Sequence, residues 1–415
     1  MIQLAELYDA DDEFAGLIDE TITAHLNEQI DGAWHDGWQP ADIVCVLRRN
    51  ATELLAAMAA DGMAAQLSAY DPATVDESFM NQLAALGADP GRGTVIGFFR
   101  RRARRPEADC LTAIATAFEL ADMLSHLPEL PLLCPPPGRA RRVARSRTSQ
   151  PVDPKLLERV RALLAKAESS EYGAEADALT AKAQELMVRH SIDQALLDAA
   201  TPTAEQPGGI RIALQNPYEA EKAALLDQVA SANRCKAIWS RHLGFVTVLG
   251  FPAELRTVEL LFTSLLVQAT RAMLGAGARQ TASGTSRTRS FRQAFLNAFA
   301  IRIGERLTGV NESGIREGAA SDARLLPVLA DRAQAVHQLA AHLFPGLTYR
   351  GRDLYPQDRE GWALGTHAAN LAALTAIPSI TPEAAAGPAS ADAALVSDSR
   401  CRVEAIQEPL FAVPH

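Results

Sequence analysis

Residues 153–198 read DPKLLERVRALLAKAESSEYGAEADALTAKAQELMVRHSIDQALLD, and their spacing decides the fold class. Asp153 is a good N-cap, and Pro154 stands at the first helical position, where its missing N–H costs nothing. Leu156, Leu157, Val160, Leu163, Leu164 and Ala167 then share one face of a helix. Residues 169–173 break it. A second helix buries Ala176, Leu179, Ala183, Leu186 and Met187. Ser191 with Gln194 forms a capping box for a short third helix carrying Ala195, Leu196 and Leu197. The charged residues between the stripes read as a solvated face with local ion pairs.

Outward from this hairpin the helical period persists. Residues 12–28 place Phe14, Leu17, Ile18, Ile22 and Leu26 on one stripe, and 41–58 resume it through Ile43, Val46, Leu47, Leu54 and Leu55. Trp34 and Trp38 flank the break and read as anchors where helices meet. Further helices are expected at about 109–127, 217–231, 251–274, 288–308, 326–343 and 358–374. Residues 236–240 and 245–249 are short β-rich runs around Leu243-Gly244, a candidate hairpin, and 347–350 is a candidate strand.

The expected fold is therefore mainly α with a small β element (α+β). Its parts are an acidic helical N-terminal domain at 1–133, a Pro/Arg-rich linker at 134–152 and the helical hairpin at 153–199. A mainly helical C-terminal domain with a short β hairpin follows at 210–376, after a Pro/Gly/Thr linker at 200–209. The tail at 377–415 is Ala/Pro/Ser-rich and is expected to be disordered.

The formal net charge of −10 is unevenly spread. Residues 1–99 hold seventeen acidic residues against three arginines and no lysine, whereas the middle of the chain is basic. Local fields of this kind select partners more than the total does. Five scattered cysteines lack zinc-site spacing and suit a reducing compartment. The N-terminus lacks a signal peptide's basic start and apolar core, and no run is read as the ~20 apolar residues of a membrane span. The expected location is the cytoplasm, with no membrane partner.

Several hairpin residues carry a further likeness. Lys155-Leu156-Leu157, Val160-Arg161-Ala162-Leu163-Leu164-Ala165-Lys166-Ala167-Glu168-Ser169, Glu175-Ala176 and Lys182-Ala183-Gln184-Glu185-Leu186-Met187 resemble the family known as domain of unknown function 2786, found in bacteria, especially actinobacteria, and in phages. The resemblance extends to that family's C-terminal companion domain. It is carried there by Ser290-Phe291-Arg292, Arg302-Ile303-Gly304-Glu305-Arg306-Leu307, Leu329-Ala330-Asp331-Arg332, Gly361-Trp362 and Gly365. Gly37-Trp38-Gln39-Pro40 is similar to N-terminal regions of actinobacterial members. The resemblance implies an architecture and carries no catalytic residues.

Chemistry-bearing patterns are sparse. His337 and His342 are five apart, off the four-residue spacing of a helical zinc site, so no metal and no cofactor is expected. No catalytic motif is recognised, and whether the chain is an enzyme stays open. Residues 283–289, Ser-Gly-Thr-Ser-Arg-Thr-Arg, precede a helix whose free N–H groups suit an anion; the other reading is a flexible connector. Between 271 and 306 seven arginines face one acid, Glu305. Arg302 and Arg306 share a helix face, with Arg292 about 40° away. A polyphosphate backbone would suit them, and so would acids elsewhere in the chain.

The leading functional expectation is non-enzymatic binding of DNA or RNA through Arg142, Arg145, Arg287, Arg289, Arg292, Arg302 and Arg306. One alternative is a protein partner for the acidic N-terminal domain. Another is a hydrolase or transferase acting on a phosphorylated substrate at 275–292, with Glu254 and Glu259 as contributors. Gly361, Gly365 and Ala369, spaced by four, predict a close helix contact.

Overall fold

A computed structural model describes residues 12–88, 110–140, isolated positions between 159 and 195, 205–280, 286–350, 358–372 and 404–406. The fold is mainly helical with one small sheet. The chain divides into two compact units. One is Met1–Ser146 with His242–Phe245, and the other is Arg147–Arg241 with Val246–His415.

The first unit contains α1 (Asp12–His35), α2 (Pro40–Asn50), α3 (Glu53–Leu67), a 3-10 turn (Pro72–Thr74), α4 (Glu77–Ala85) and α5 (Cys110–Ser125). Trp34 and Trp38 are fully buried in its core. The Trp34 indole donates to Gln66 Oε1 at 2.6 Å and meets Phe79 edge-on at 5.2 Å. The Trp38 indole donates to the Pro128 carbonyl at 2.8 Å, and its ring lies edge-on to Phe245. Each indole thus buries its large apolar body while its one donor is satisfied. Gly37 separates them at φ +84, where a Cβ would strike the Leu130 carbonyl; no other residue type fits that turn.

The segment expected to open a linker at 134 is part of this unit as far as it is described. The N–H groups of Gly138 and Ala140 both donate to the Thr74 carbonyl, and Cys134 Sγ accepts from Gln39 Nε2 at 3.2 Å. Proline excludes a helix here, yet an extended segment can still lodge its backbone donors on a neighbour. Residues 141–152 lie outside the described residues.

The second unit contains β1 (Gly208–Ala213), α6 (Glu219–Ala232), β2 (Lys236–Ser240), β3 (Phe245–Gly250), α7 (Pro252–Gly275), α8 (Thr288–Ser321), α9 (Leu325–Leu343), β4 (Thr348–Arg350), α10 (Arg359–Leu371) and β5 (Glu404–Ile406). The strand order is β1-β3-β2-β5-β4, with β5 parallel to β2 and antiparallel to β4. β1 lies where the start of the C-terminal domain was expected to follow a bare linker. Within the tail, residues 404–406 form β5, which pairs on one side with β2 and on the other with β4. The rest of 373–415 lies outside the described residues.

α8 is the spine of this unit. Phe291, Phe295 and Phe299 form a ladder of buried rings along it, with centroids 6.4 and 6.5 Å apart. Its opposite side takes α6, where Gly304 leaves room for Gln228 and Asn311 donates to the Ala232 carbonyl. α8 runs thirteen residues beyond the expected end at 308 because such tertiary contacts continue along it. α10 lies against the ladder side: a Cβ on Gly361 or Gly365 would collide with the carbonyl oxygens of Phe291 and Phe295.

α7 is long and apolar enough to cross a membrane by length and composition, which qualifies the expectation that no such run exists. Its Leu255, Val258, Leu261, Phe262, Leu265 and Ala269 are buried in the same core as the α8 ladder. The hairpin is described at few positions, all helical. Val160 belongs to this core, and Ile192 with Ala195 is buried against Leu325 and Leu329. These positions are integral to the unit, not to a free-standing module.

Gly365→Ala is expected to destabilise the protein by about 1–3 kcal/mol, since the added methyl must push two helix backbones apart. Urea denaturation of the variant beside wild type checks this.

Candidate anion-binding site

The loop between α7 and α8 begins where Gly277, at φ +76, ends the helical path. Gln280 and Ser286 form an isolated antiparallel bridge, and the Arg287 N–H donates to the Arg279 carbonyl at 3.0 Å. The Thr288 hydroxyl oxygen accepts from the Arg279 N–H at 3.0 Å. The bridge draws the loop's two ends together, so Arg279 and Arg287 leave from the same place. Residues 281–285 lie outside the described residues.

Both arginines meet carboxylates at the start of α10. Arg279 Nε donates to Glu360 Oε1 at 2.9 Å, and Arg287 donates to Glu360 Oε2 and, at 2.8 Å, to Asp358 Oδ2. The other Asp358 oxygen accepts from the Gly361 N–H at 2.9 Å and caps the helix. The Arg287 guanidinium is held above its ordinary pKa, first by the hydrogen bond to Glu360 and then by Asp358. Arg279 also lies over the Phe291 ring, 4.9 Å from its centroid. The loop does hold anions, and they are two side chains of its own chain.

At the far end of α10 the arginines again face inward. Arg306 donates to the carbonyls of Ala369 and Ala372, satisfying acceptors at the C-terminal end of a helix where positive charge is favoured. Arg302 donates to Asn370 Oδ1 at 2.5 Å and pairs with Glu305 at 2.7 Å. Arg302 and Arg306 therefore bind α10, and Arg292 does not join them. The face that Arg302 and Arg306 share is occupied by a neighbouring helix.

Arg289 and Arg292 differ. Arg289 is exposed, and Arg292 is half-buried with a buried Nε that has no hydrogen-bond partner among the described residues. Three residues apart, they are surface neighbours on the first turns of α8, whose first turn contains no acid. Arg142 and Arg145 lie outside the described residues.

A second polar cluster escaped sequence reading. Glu254 is 3% exposed in the first turn of α7. It accepts from Arg332 of α9 at 3.1 Å, from Arg234 at 3.4 Å and from the Ser191 hydroxyl at 3.0 Å. Arg234 also donates to Ser191 Oγ at 2.5 Å, from a backbone at φ +60 that only a few non-glycine residues adopt. Arg332 stacks on Phe251 at 3.6 Å. Burial, and then Glu254, push the nearby Cys235 thiol up, so it stays protonated. Four separate elements contribute, which is why no spacing announced the group. Glu254 is also no part of the 275–292 loop: the two lie at opposite ends of α7, roughly 30 Å apart at 1.5 Å per residue.

The Ser191 in this cluster belongs to the hairpin, and there a comparison with known families is informative. Residues 155–194 match the family described as protein of unknown function (DUF2786). No curated protein and no solved structure matches the chain. The matched segment reaches the buried cluster through Ser191 and the α8–α9 corner through Ile192, which lies near Gly318. Among the described residues no group of three or more metal-ligating side chains occurs.

Glu254→Gln leaves two guanidinium groups facing a neutral amide. It is expected to cost about 3 kcal/mol of stability, measured by urea denaturation, because removing one partner of a buried ion pair strands the others.

Proposed function

We propose that this protein binds nucleic acid without catalysing a reaction, through a site centred on Arg289 and Arg292 at the start of α8. The observation that carries this reading is a pair of neighbouring guanidinium groups, one exposed and one with an unpartnered Nε, on helical turns next to an acid-free helix start. Such groups suit phosphate oxygens, and the helix start adds partial positive charge. Arg142 and Arg145 are kept in this proposal as further nucleic-acid contacts of the chain. Arg287, Arg302 and Arg306 are reassigned as groups that hold α10. The resemblance of 290–365 to the family's companion domain is kept as a proposal about architecture, supported by the burial of hairpin residues in that unit's core. Cys45, Cys134 and Cys235 as free thiols suit a cytoplasmic setting.

Arg289→Glu with Arg292→Glu is expected to weaken binding of duplex DNA more than tenfold in fluorescence anisotropy. It should also flatten the log K against log[salt] plot by about 1.8, two phosphate contacts' worth. Arg302→Gln is expected to lower stability and leave that slope unchanged. Wild-type protein with no salt-sensitive affinity for DNA or RNA overturns the reading.

A second reading has its own observation. On the acidic first unit, Leu17 of α1 is 61% exposed and Phe118 of α5 is 53% exposed. Phe118 lies beside His25, 6.4 Å from its ring, about two helical turns along α1 from Leu17. Exposed apolar anchors in acidic surroundings suit a basic amphipathic protein segment. After nuclease treatment, a stoichiometric partner retained by wild type and lost with Leu17→Asp and Phe118→Asp is the expected result of a pull-down.

A further inference from the structure

We propose that Glu360 is a built-in competitor at the nucleic-acid site: it occupies Arg279 and Arg287, and a phosphate backbone seated on Arg289 and Arg292 displaces it and takes over both guanidinium groups. This rests on the reading that Arg289 and Arg292 bind nucleic acid.

The two carboxylates of the clasp are not equivalent. The Asp358 side chain is 3% exposed, caps α10 through Gly361 and holds Arg287 through its other oxygen. The Glu360 side chain is 42% exposed, and Arg279 and Arg287 are its only hydrogen-bond partners among the described residues. Swinging Glu360 outward therefore leaves the cap of α10 in place. Exposed ion pairs of this kind contribute little and are screened by salt, so the Glu360 contacts are the ones that yield.

What remains after Glu360 leaves is still ordered. Arg287 keeps Asp358, and Arg279 keeps the Phe291 ring and the Ala276 carbonyl. Both guanidinium groups stay positioned at the foot of α8, two residues and one turn from Arg289 and Arg292. A phosphate diester presents two anionic oxygens, as the Glu360 carboxylate does, and it belongs to a chain that contacts all four arginines at once. The competition is between one tethered carboxylate and a polyanion that gains a counterion release with each contact.

The full-length Glu360→Gln protein tests this against duplex DNA by fluorescence anisotropy across a salt series. Binding should tighten about tenfold at low salt with the log K against log[salt] slope unchanged, because the same four arginines contact phosphate in both proteins. Adding Arg279→Gln to Glu360→Gln should flatten the slope by about 0.9, one contact, with circular dichroism verifying that both variants keep their helix content. If wild type binds and Glu360→Gln binds no more tightly, or binds with a slope steeper by about 1.8, the displacement of Glu360 is overturned while the binding site stands. If neither protein binds, both proposals fail.

Discussion

The contact between α8 and α10 is set by two missing side chains. Gly361 and Gly365 present bare backbone to the carbonyl oxygens of Phe291 and Phe295, so the helices approach more closely than any Cβ allows. Close approach brings dispersion gains that grow with each atom pair, and it fixes one register between the helices. Everything charged nearby follows from that register. It puts the first turn of α10 beside the loop that carries Arg279 and Arg287. It puts the last turn beside Arg302 and Arg306.

α10 is consequently held at both ends by complementary charge. Its N-terminal end offers Asp358 and Glu360 to arginines, and its C-terminal carbonyls receive Arg306. That arrangement uses most of the basic stripe for assembly. It also explains why a strongly basic segment can exist in an acidic chain without its whole charge being presented to a partner. Of the three arginines outside the arrangement, Arg289 and Arg292 stand together at the start of α8. The buried group around Glu254 has a different role: it pins α7, α9, the turn before β2 and the hairpin together, and it sits far from the arginine loop.

The helices were legible because their apolar residues recur at helical spacing, and the β2–β3 pair because its β-rich runs are bounded by a Leu-Gly turn. β1 was not, since Gly208 and Gly209 resemble the linker before them and the strand's order comes from pairing. The close helix contact was readable from Gly361, Gly365 and Ala369. The fate of Arg302 and Arg306 was not. Besides the local pairing of Arg302 with Glu305, they donate to two backbone carbonyls and one asparagine more than sixty residues away, and a backbone carbonyl has no sequence signature. The family match lies on the hairpin, whose residues explain packing and name no chemistry.

The central claim is that Arg302 and Arg306 of α8 are committed to α10, whereas Arg289 and Arg292 at its start have no hydrogen-bond or ion-pair partner among the described residues. Hydrogen exchange of the full-length protein, with and without duplex DNA, tests this division most directly. Added protection is expected over residues 286–293, together with faster exchange in the first turn of α10 as Glu360 is released. Protection centred on 302–306, or no change over 286–293, would contradict it.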